Sequence, residues 1–193
     1  MKTNLEPKDI DNFYITLYFS KDHSDYRKKA IWRAYRDFNR TLRNFTENKN
    51  DIKIDWESKL LKYIDEVCNT NFDQSKFDDW HERKTKELCE NEHFKLKIGQ
   101  SQKWINMTLK YCYLLGNEKI PGITKNVDYF HIPIDNIIQK RIFNDFKIKK
   151  LDESWSTIDK YKKYKNYQLE FRKHLNDRET AFEKEFKMFN NPE

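Results

Sequence analysis

The sequence predicts an all-α protein of about seven helices in one body, and three observations carry that expectation. Only 3 glycines and 4 prolines are present, too few for the tight turns of an all-β fold. Apolar residues recur at spacings of three and four along most of the chain, the stripe of an amphipathic helix. Aromatic residues make up 16% of the chain. Each ring can bury roughly 150–250 Å², so rings supply much of the core. Residues 1–193 suit a single helical domain, divisible into one lobe of residues 1–92 plus the C-terminal helices and another of residues 93–150.

MKTNLEPKDIDN lacks an apolar run, so no signal peptide is expected there. FYITLYFS, residues 13–20, is β-prone and is expected as an extended lead-in or an edge strand. Residues 24–46 read as a helix striped by Trp32, Tyr35, Phe38, Leu42 and Phe45. Arg33, Arg36, Arg40 and Arg43 recur on a neighbouring face, which is either a solvated flank or a grip for phosphates. TENKNDIKID is a polar loop. A helix then runs from about Trp56 to Cys68, with Leu60, Leu61, Ile64 and Val67 inward. Residues 75–90 form a third helix with few apolar positions and an acidic face, expected to pack lightly at the periphery. HFKLKI, residues 93–98, leads to Gly99.

The helix at about 100–116 is the most apolar. Trp104, Ile105, Met107, Leu109, Tyr111, Cys112, Leu114 and Leu115 wrap most of its circumference and leave one polar stripe, Lys103, Asn106 and Lys110. A central helix with a single polar stripe is suited to lining a cleft. A loop containing Pro121-Gly122 follows, and then a helix from about Asp135 carrying Ile137, Ile138, Ile142, Phe143 and Phe146. KIKKLDESW is a basic linker. A long helix from Trp155 is striped by Tyr161, Tyr164, Tyr167 and Phe171, with lysines between, and a last helix carries Phe182, Phe186 and Phe189.

The net charge of +6 is unevenly placed. Residues 65–92 hold nine acids against four bases, whereas residues 136–176 and 27–43 each carry an excess of six bases. Such asymmetry suits a polyanionic partner. Cys68, Cys89 and Cys112 are widely spaced with no CxxC pair, which fits a reducing cytoplasm and disfavours a disulfide framework or a zinc site. The five histidines form no metal signature, and no window approaches the length of a membrane span. No metal or cofactor is expected.

Two residues stand out chemically. Pro133 discourages helix at Ile132, and Asp135 then stands where an N-cap belongs. Lys103 lies near the start of the apolar helix, an end that favours acids rather than bases. Burial beside that positive end disfavours an ammonium ion, and a neutral lysine is a nucleophile able to form a Schiff base. The alternative for each is structural: a capping carboxylate, and a lysine that extends its stem to solvent.

KWINMTLKY, residues 103–111, followed by HIPIDNII, residues 131–138, resembles the helix-hairpin-helix DNA glycosylases, above all the archaeal 8-oxoguanine branch and its bacterial relatives. The likeness covers roughly residues 93–146. It implies an all-α fold of two interlocked lobes, with a damaged or modified base flipped from double-stranded DNA into the cleft between them. Lys103 resembles the catalytic lysine and Asp135 the catalytic aspartate, at the longer spacing of the archaeal branch. The usual Gly-x-Gly hairpin is reduced to Gly99, leaving Gly99, Gln100 and Ser101 to offer backbone amides to phosphate. Lys110, Lys140, Arg141, Lys162, Lys163 and Lys165 are further candidates for the DNA backbone. Gln102, Asn106, Phe130, His131 and Trp155 have the chemistry of a base pocket. No four-cysteine cluster is present, so the iron–sulfur members are not the match.

The expected activity is therefore base excision with abasic-site lyase chemistry, by a cytoplasmic monomer without membrane attachment. Oxidised guanine is the substrate the resemblance implies, and a hypermodified phage cytosine suits a small bacterial relative. The alternatives are a non-catalytic helical nucleic-acid-binding or phage-defence accessory protein, and a structural partner-binding protein. A helical RNase of the HEPN type is disfavoured because no R-x4-H signature occurs.

Overall fold

The apolar stripes become eight α-helices and three short 3-10 segments, with no strand among the described residues, so the fold is all-α. The computed structural model describes residues 6–19, 21, 24–42, 49–91 and 94–190; Arg43 and Phe45 lie outside them. The helices are α1 (Pro7–Phe19), α2 (Tyr26–Phe38), α3 (Lys49–Asn69), α4 (Gln74–Cys89), α5 (Ile98–Leu115), α6 (Asn136–Phe146), α7 (Tyr161–Arg172) and α8 (Ala181–Asn190). The 3-10 segments are Asn39–Thr41, Ile123–Tyr129 and Trp155–Thr157.

Helix α5 is the axis of the molecule. Every residue from Ile98 to Cys112 is buried, because α2, α4 and the Trp155–Thr157 segment pack around it. Trp104 is the hub on the α2 side. Its ring lies 5.0 Å from Phe38, 5.4 Å from Tyr35 and 5.4 Å from Trp56, and its indole N–H donates to the Ile31 carbonyl at 3.0 Å. The tilted and edge-on arrangements are those aromatic rings prefer. Three aspartates start helices: Asp25 caps α2, Asp73 caps α4 and Asp135 caps α6, each accepting a backbone N–H at 2.8–2.9 Å.

Four sequence expectations change. Residues 13–19 of FYITLYFS are helical, not extended, and form the second half of α1; Ser20 lies outside the described residues. Pro7 opens that helix, where its fixed φ suits the first turn. Ile10, Phe13, Tyr14 and Leu17 share a face at helical spacing, and all four stay exposed. The polar loop predicted at 46–55 gives way to helix from Lys49, because Ile52 continues the buried stripe of Trp56, Leu60 and Ile64; Thr46 to Asn48 lie outside the described residues. Helix α4 is not peripheral. It buries Phe77, Asp78, Trp80, His81, Thr85 and Leu88. The long helix predicted from Trp155 is broken: Trp155–Thr157 is a 3-10 turn, and α7 begins only at Tyr161.

That break serves the packing of α5. The Gly99 N–H donates to the Ile158 carbonyl at 3.0 Å, and a Cβ on Gly99 would stand 1.7 Å from the Trp155 carbonyl oxygen. Only glycine permits that approach. Among the described residues no helix is long and apolar enough to cross a membrane.

Candidate functional site

Lys103 and Asp135 form an ion pair between Nζ and Oδ2. Lys103 sits in the second turn of α5, and its side chain is 6% exposed; Asp135, at the start of α6, keeps 20% of its side chain open. The other carboxylate oxygen accepts the Ile138 N–H at 2.9 Å, so one residue both caps α6 and meets the lysine.

The segment that delivers Asp135 is fixed to α5 by side-chain amides. Gln102 donates to the Ile134 carbonyl at 2.9 Å and accepts from the Ile134 N–H at 3.3 Å. Gln168 of α7 treats Ile132 the same way, donating at 2.6 Å and accepting at 3.3 Å. Two glutamines thereby satisfy both backbone groups of an extended strip that has no sheet to join. Pro133 between them needs no donor's partner.

The pair opens onto a cleft of about 360 Å³ between α2, α5, α6 and α8. Its charges are Arg33, Arg36, Arg40, Lys103 and Lys110 against Asp37, Asp135 and Glu185. Each carboxylate is engaged. Asp37 accepts from Arg33 at 2.7 Å and from the Tyr111 hydroxyl at 2.6 Å, and Glu185 pairs with Lys110 at 2.6 Å. Burial, reinforced by the bond to Asp37, holds the Tyr111 phenol well above its ordinary range. Tyr18 adds a ring at the rim, under the Arg33 guanidinium at 4.3 Å. Phe186 and Phe189 stand 5.3 and 5.1 Å from the Lys110 ammonium.

Behind the cleft lies a second polar assembly that sequence reasoning did not anticipate. Asp78 accepts from His131 Nε2 at 2.8 Å and takes both Arg172 terminal nitrogens at 2.8 and 2.9 Å. His131 Nδ1 meets the Tyr164 hydroxyl at 2.9 Å, Tyr164 accepts from Asn106 at 2.8 Å, and Asn106 meets His81 Nε2 at 2.8 Å. His81 Nδ1 ends the chain on the Tyr161 hydroxyl at 2.8 Å. The two imidazoles stack at 4.2 Å. Burial pushes His131 down to about 4 and His81 well below its ordinary value. Burial alone would raise Asp78, but the bonds from His131 and Arg172 outweigh it and hold the carboxyl far below its usual range. Among the described residues no three His, Cys, Asp or Glu side chains converge to hold a metal ion.

The structure thus brings Lys103 and Asp135 together and distributes the other candidates. Gln102, Asn106 and His131 are committed to interior hydrogen bonds. Phe130 packs against Phe77 and Phe182, each at 5.7 Å, and Trp155 covers the start of α5. The amides of Gly99 and Ser101 face protein carbonyls, and the Gln100 side chain holds Thr41 at 3.0 and 3.1 Å. Lys110 is buried against Glu185. Arg141 donates to the Met188 carbonyl, Lys163 pairs with Glu153 at 2.5 Å, Lys165 approaches Asp79 at 4.0 Å, and Lys140 and Lys162 are exposed.

Asp37, Glu185 and Asp78 were not singled out by sequence. Glu185 had a signal: it stands one turn after Phe182 on the buried face of α8. Fold and site together define a helical protein with a cationic cleft above a lysine–carboxylate pair. No protein-family model, curated protein or solved structure gives a significant match to this chain.

Proposed function

We propose that this protein is a DNA glycosylase with accompanying abasic-site lyase activity, using Lys103 as nucleophile and Asp135 as its carboxylate partner. One observation carries the reading. An amine and a carboxylate 32 residues apart meet at the floor of a cationic cleft, the amine on an apolar helix and the carboxylate at the cap after Pro133. The resemblance of residues 103–111 and 131–138 supplies the reaction class.

The chemistry follows from the pair. A nucleotide rotated out of the duplex presents its sugar to the cleft, at the cost of unstacking. As the C1′–N bond lengthens, positive charge grows on the sugar, and the Asp135 carboxylate offsets it. Transfer of an Nζ proton to Asp135 frees the lysine lone pair. Nζ then bonds to the cationic C1′, the base having left with the electron pair of the broken bond. Ring opening gives a Schiff base. Loss of a C2′ proton then expels the 3′ phosphate and cuts the strand. Tyr18, Tyr111, Phe186 and Phe189 offer rings for the displaced base.

Borohydride trapping tests this directly, on duplexes bearing 8-oxoguanine or a cytosine enlarged at C5. Wild-type protein is expected to form a covalent adduct with one of these substrates, and Lys103→Gln none. Asp135→Asn, which can still cap α6, is expected to slow adduct formation about 10²-fold or more. Equal yield from Lys103→Gln excludes Lys103 as nucleophile. Absence of any adduct while duplex binding persists favours a non-catalytic nucleic-acid binder instead.

A further inference from the structure

The backbone amides that would grip phosphate in a hairpin are turned inward here. Gly99 N–H is bonded to Ile158 and Ser101 N–H to Lys97, at 3.0 and 2.9 Å, and Gly99, Gln100 and Ser101 are buried. A cleft that receives DNA must hold its phosphates by some other means, since phosphate contacts dominate the affinity of such complexes.

The charge pattern of the cleft indicates where. Five cationic side chains and three carboxylates line it. The carboxylates are matched one to one: Asp37 with Arg33, Asp135 with Lys103 and Glu185 with Lys110. What remains is Arg36 and Arg40. Both are exposed, they lie one turn apart, and among the described residues neither has a carboxylate partner. The cleft's entire surplus of positive charge therefore sits on these two guanidiniums.

Their mounting is rigid. Arg40 lies in the Asn39–Thr41 segment, which Gln100 ties to the start of α5 through the Thr41 carbonyl and hydroxyl. Gln100, placed where a hairpin would offer its amide, instead fixes the position of Arg40 relative to the helix that carries Lys103. Arg36 belongs to α2, which is held against α5 by Phe38 and Trp104.

We infer that Arg36 and Arg40 are the phosphate grip of this cleft, holding neighbouring phosphates of a DNA strand that passes over Lys103 and Asp135. The inference rests on the glycosylase reading for the identity of the polyanion, but its test does not depend on base excision. A guanidinium offers two parallel N–H donors to phosphate, a geometry that an ammonium lacks.

The experiment is the salt dependence of binding to an undamaged duplex by fluorescence anisotropy. Arg36→Ala/Arg40→Ala is expected to bind about tenfold more weakly or worse at 100 mM salt. Its slope of log K against log salt is expected to fall by about 1.8, two phosphates at about 0.9 each. Arg36→Lys/Arg40→Lys is expected to keep the slope. Unchanged melting of both variants shows that the fold is intact. An unaltered slope in the alanine variant overturns the assignment, even if wild-type protein traps on borohydride. Absence of duplex binding by wild-type protein at 50 mM salt overturns it together with the glycosylase reading.

Discussion

Lys110 and Glu185 face each other with side chains 8% and 3% exposed, so neither charge has water to fall back on. Their distance of 2.6 Å closes α8 onto α5. Lys110→Ala leaves a buried carboxylate without a cation and is expected to cost about 3–5 kcal/mol in denaturant unfolding. Lys110→Met with Glu185→Met removes both charges at similar volume and is expected to recover most of that loss. A double variant no more stable than the single one would assign the loss to packing rather than to the stranded charge. Gly99 makes the complementary point about shape. Its missing side chain leaves room for the Trp155 backbone, which places the broken start of the seventh helix over the central one.

At the scale of helices, Asp135 performs two tasks with two oxygens, and substitutions can separate them. Asp135→Ala and Asp135→Asn both deprive Lys103 of its charged partner, but only asparagine can still accept the Ile138 N–H. Thermal or urea unfolding is therefore expected to find the alanine variant less stable than the asparagine variant by about 0.5–2 kcal/mol, the value of a cap. Equal stabilities would show that the cap contributes nothing to α6. The helices legible in the sequence are those whose stripes are both apolar and buried: Phe38 in α2, Leu60 and Ile64 in α3, Trp104 and Ile105 in α5. Helix α1 was misread because its β-prone residues declare no partner: Phe13, Tyr14 and Leu17 remain exposed. Helix α4 was misread for the opposite reason. Asp78 and His81 are buried because their partners come from far along the chain, His131, Arg172 and Asn106, and no local pattern announces a satisfied interior charge. The candidate site divides the same way. The lysine, the proline and the capping aspartate carry their own local signatures. The carboxylate that neutralises Lys110 depends on tertiary pairing alone, whereas Asp37 stands one turn after Arg33 on the same helix, a local pair that the spacing itself offers.

Across the whole molecule, the buried histidines link stability to pH. Folding moves His131 from an ordinary value near 6.5 down to about 4, and His81 also falls. The unfolded chain therefore binds more protons in that interval. Their contribution is fully present above pH 6.5 and is lost as pH falls toward 4, on the order of 3 kcal/mol for His131. Asp78, whose carboxyl is held low, loses its own contribution at still lower pH, in the same direction. The melting temperature is expected to change little between pH 7 and 8 from these groups and to drop steadily below 6.5; a flat profile from pH 7 to 4.5 contradicts the neutral histidine pair. The same assembly has a handedness of donation. Asp78 can only accept, so His131 carries its proton on Nε2 and receives one from Tyr164 at Nδ1. The Ile132 carbonyl fixes the Asn106 amide, whose oxygen must then receive from His81, which in turn receives from Tyr161. Five donations thus run one way, from Tyr161 to Asp78. Asn106 is the amide link of that chain, accepting on Oδ1 and donating from Nδ2. Exchanging that nitrogen for oxygen, as in Asn106→Asp, would set acceptor against acceptor at Gln102 and Ile132, and could keep Tyr164 only by turning its hydroxyl proton away from His131, which breaks the one-way run.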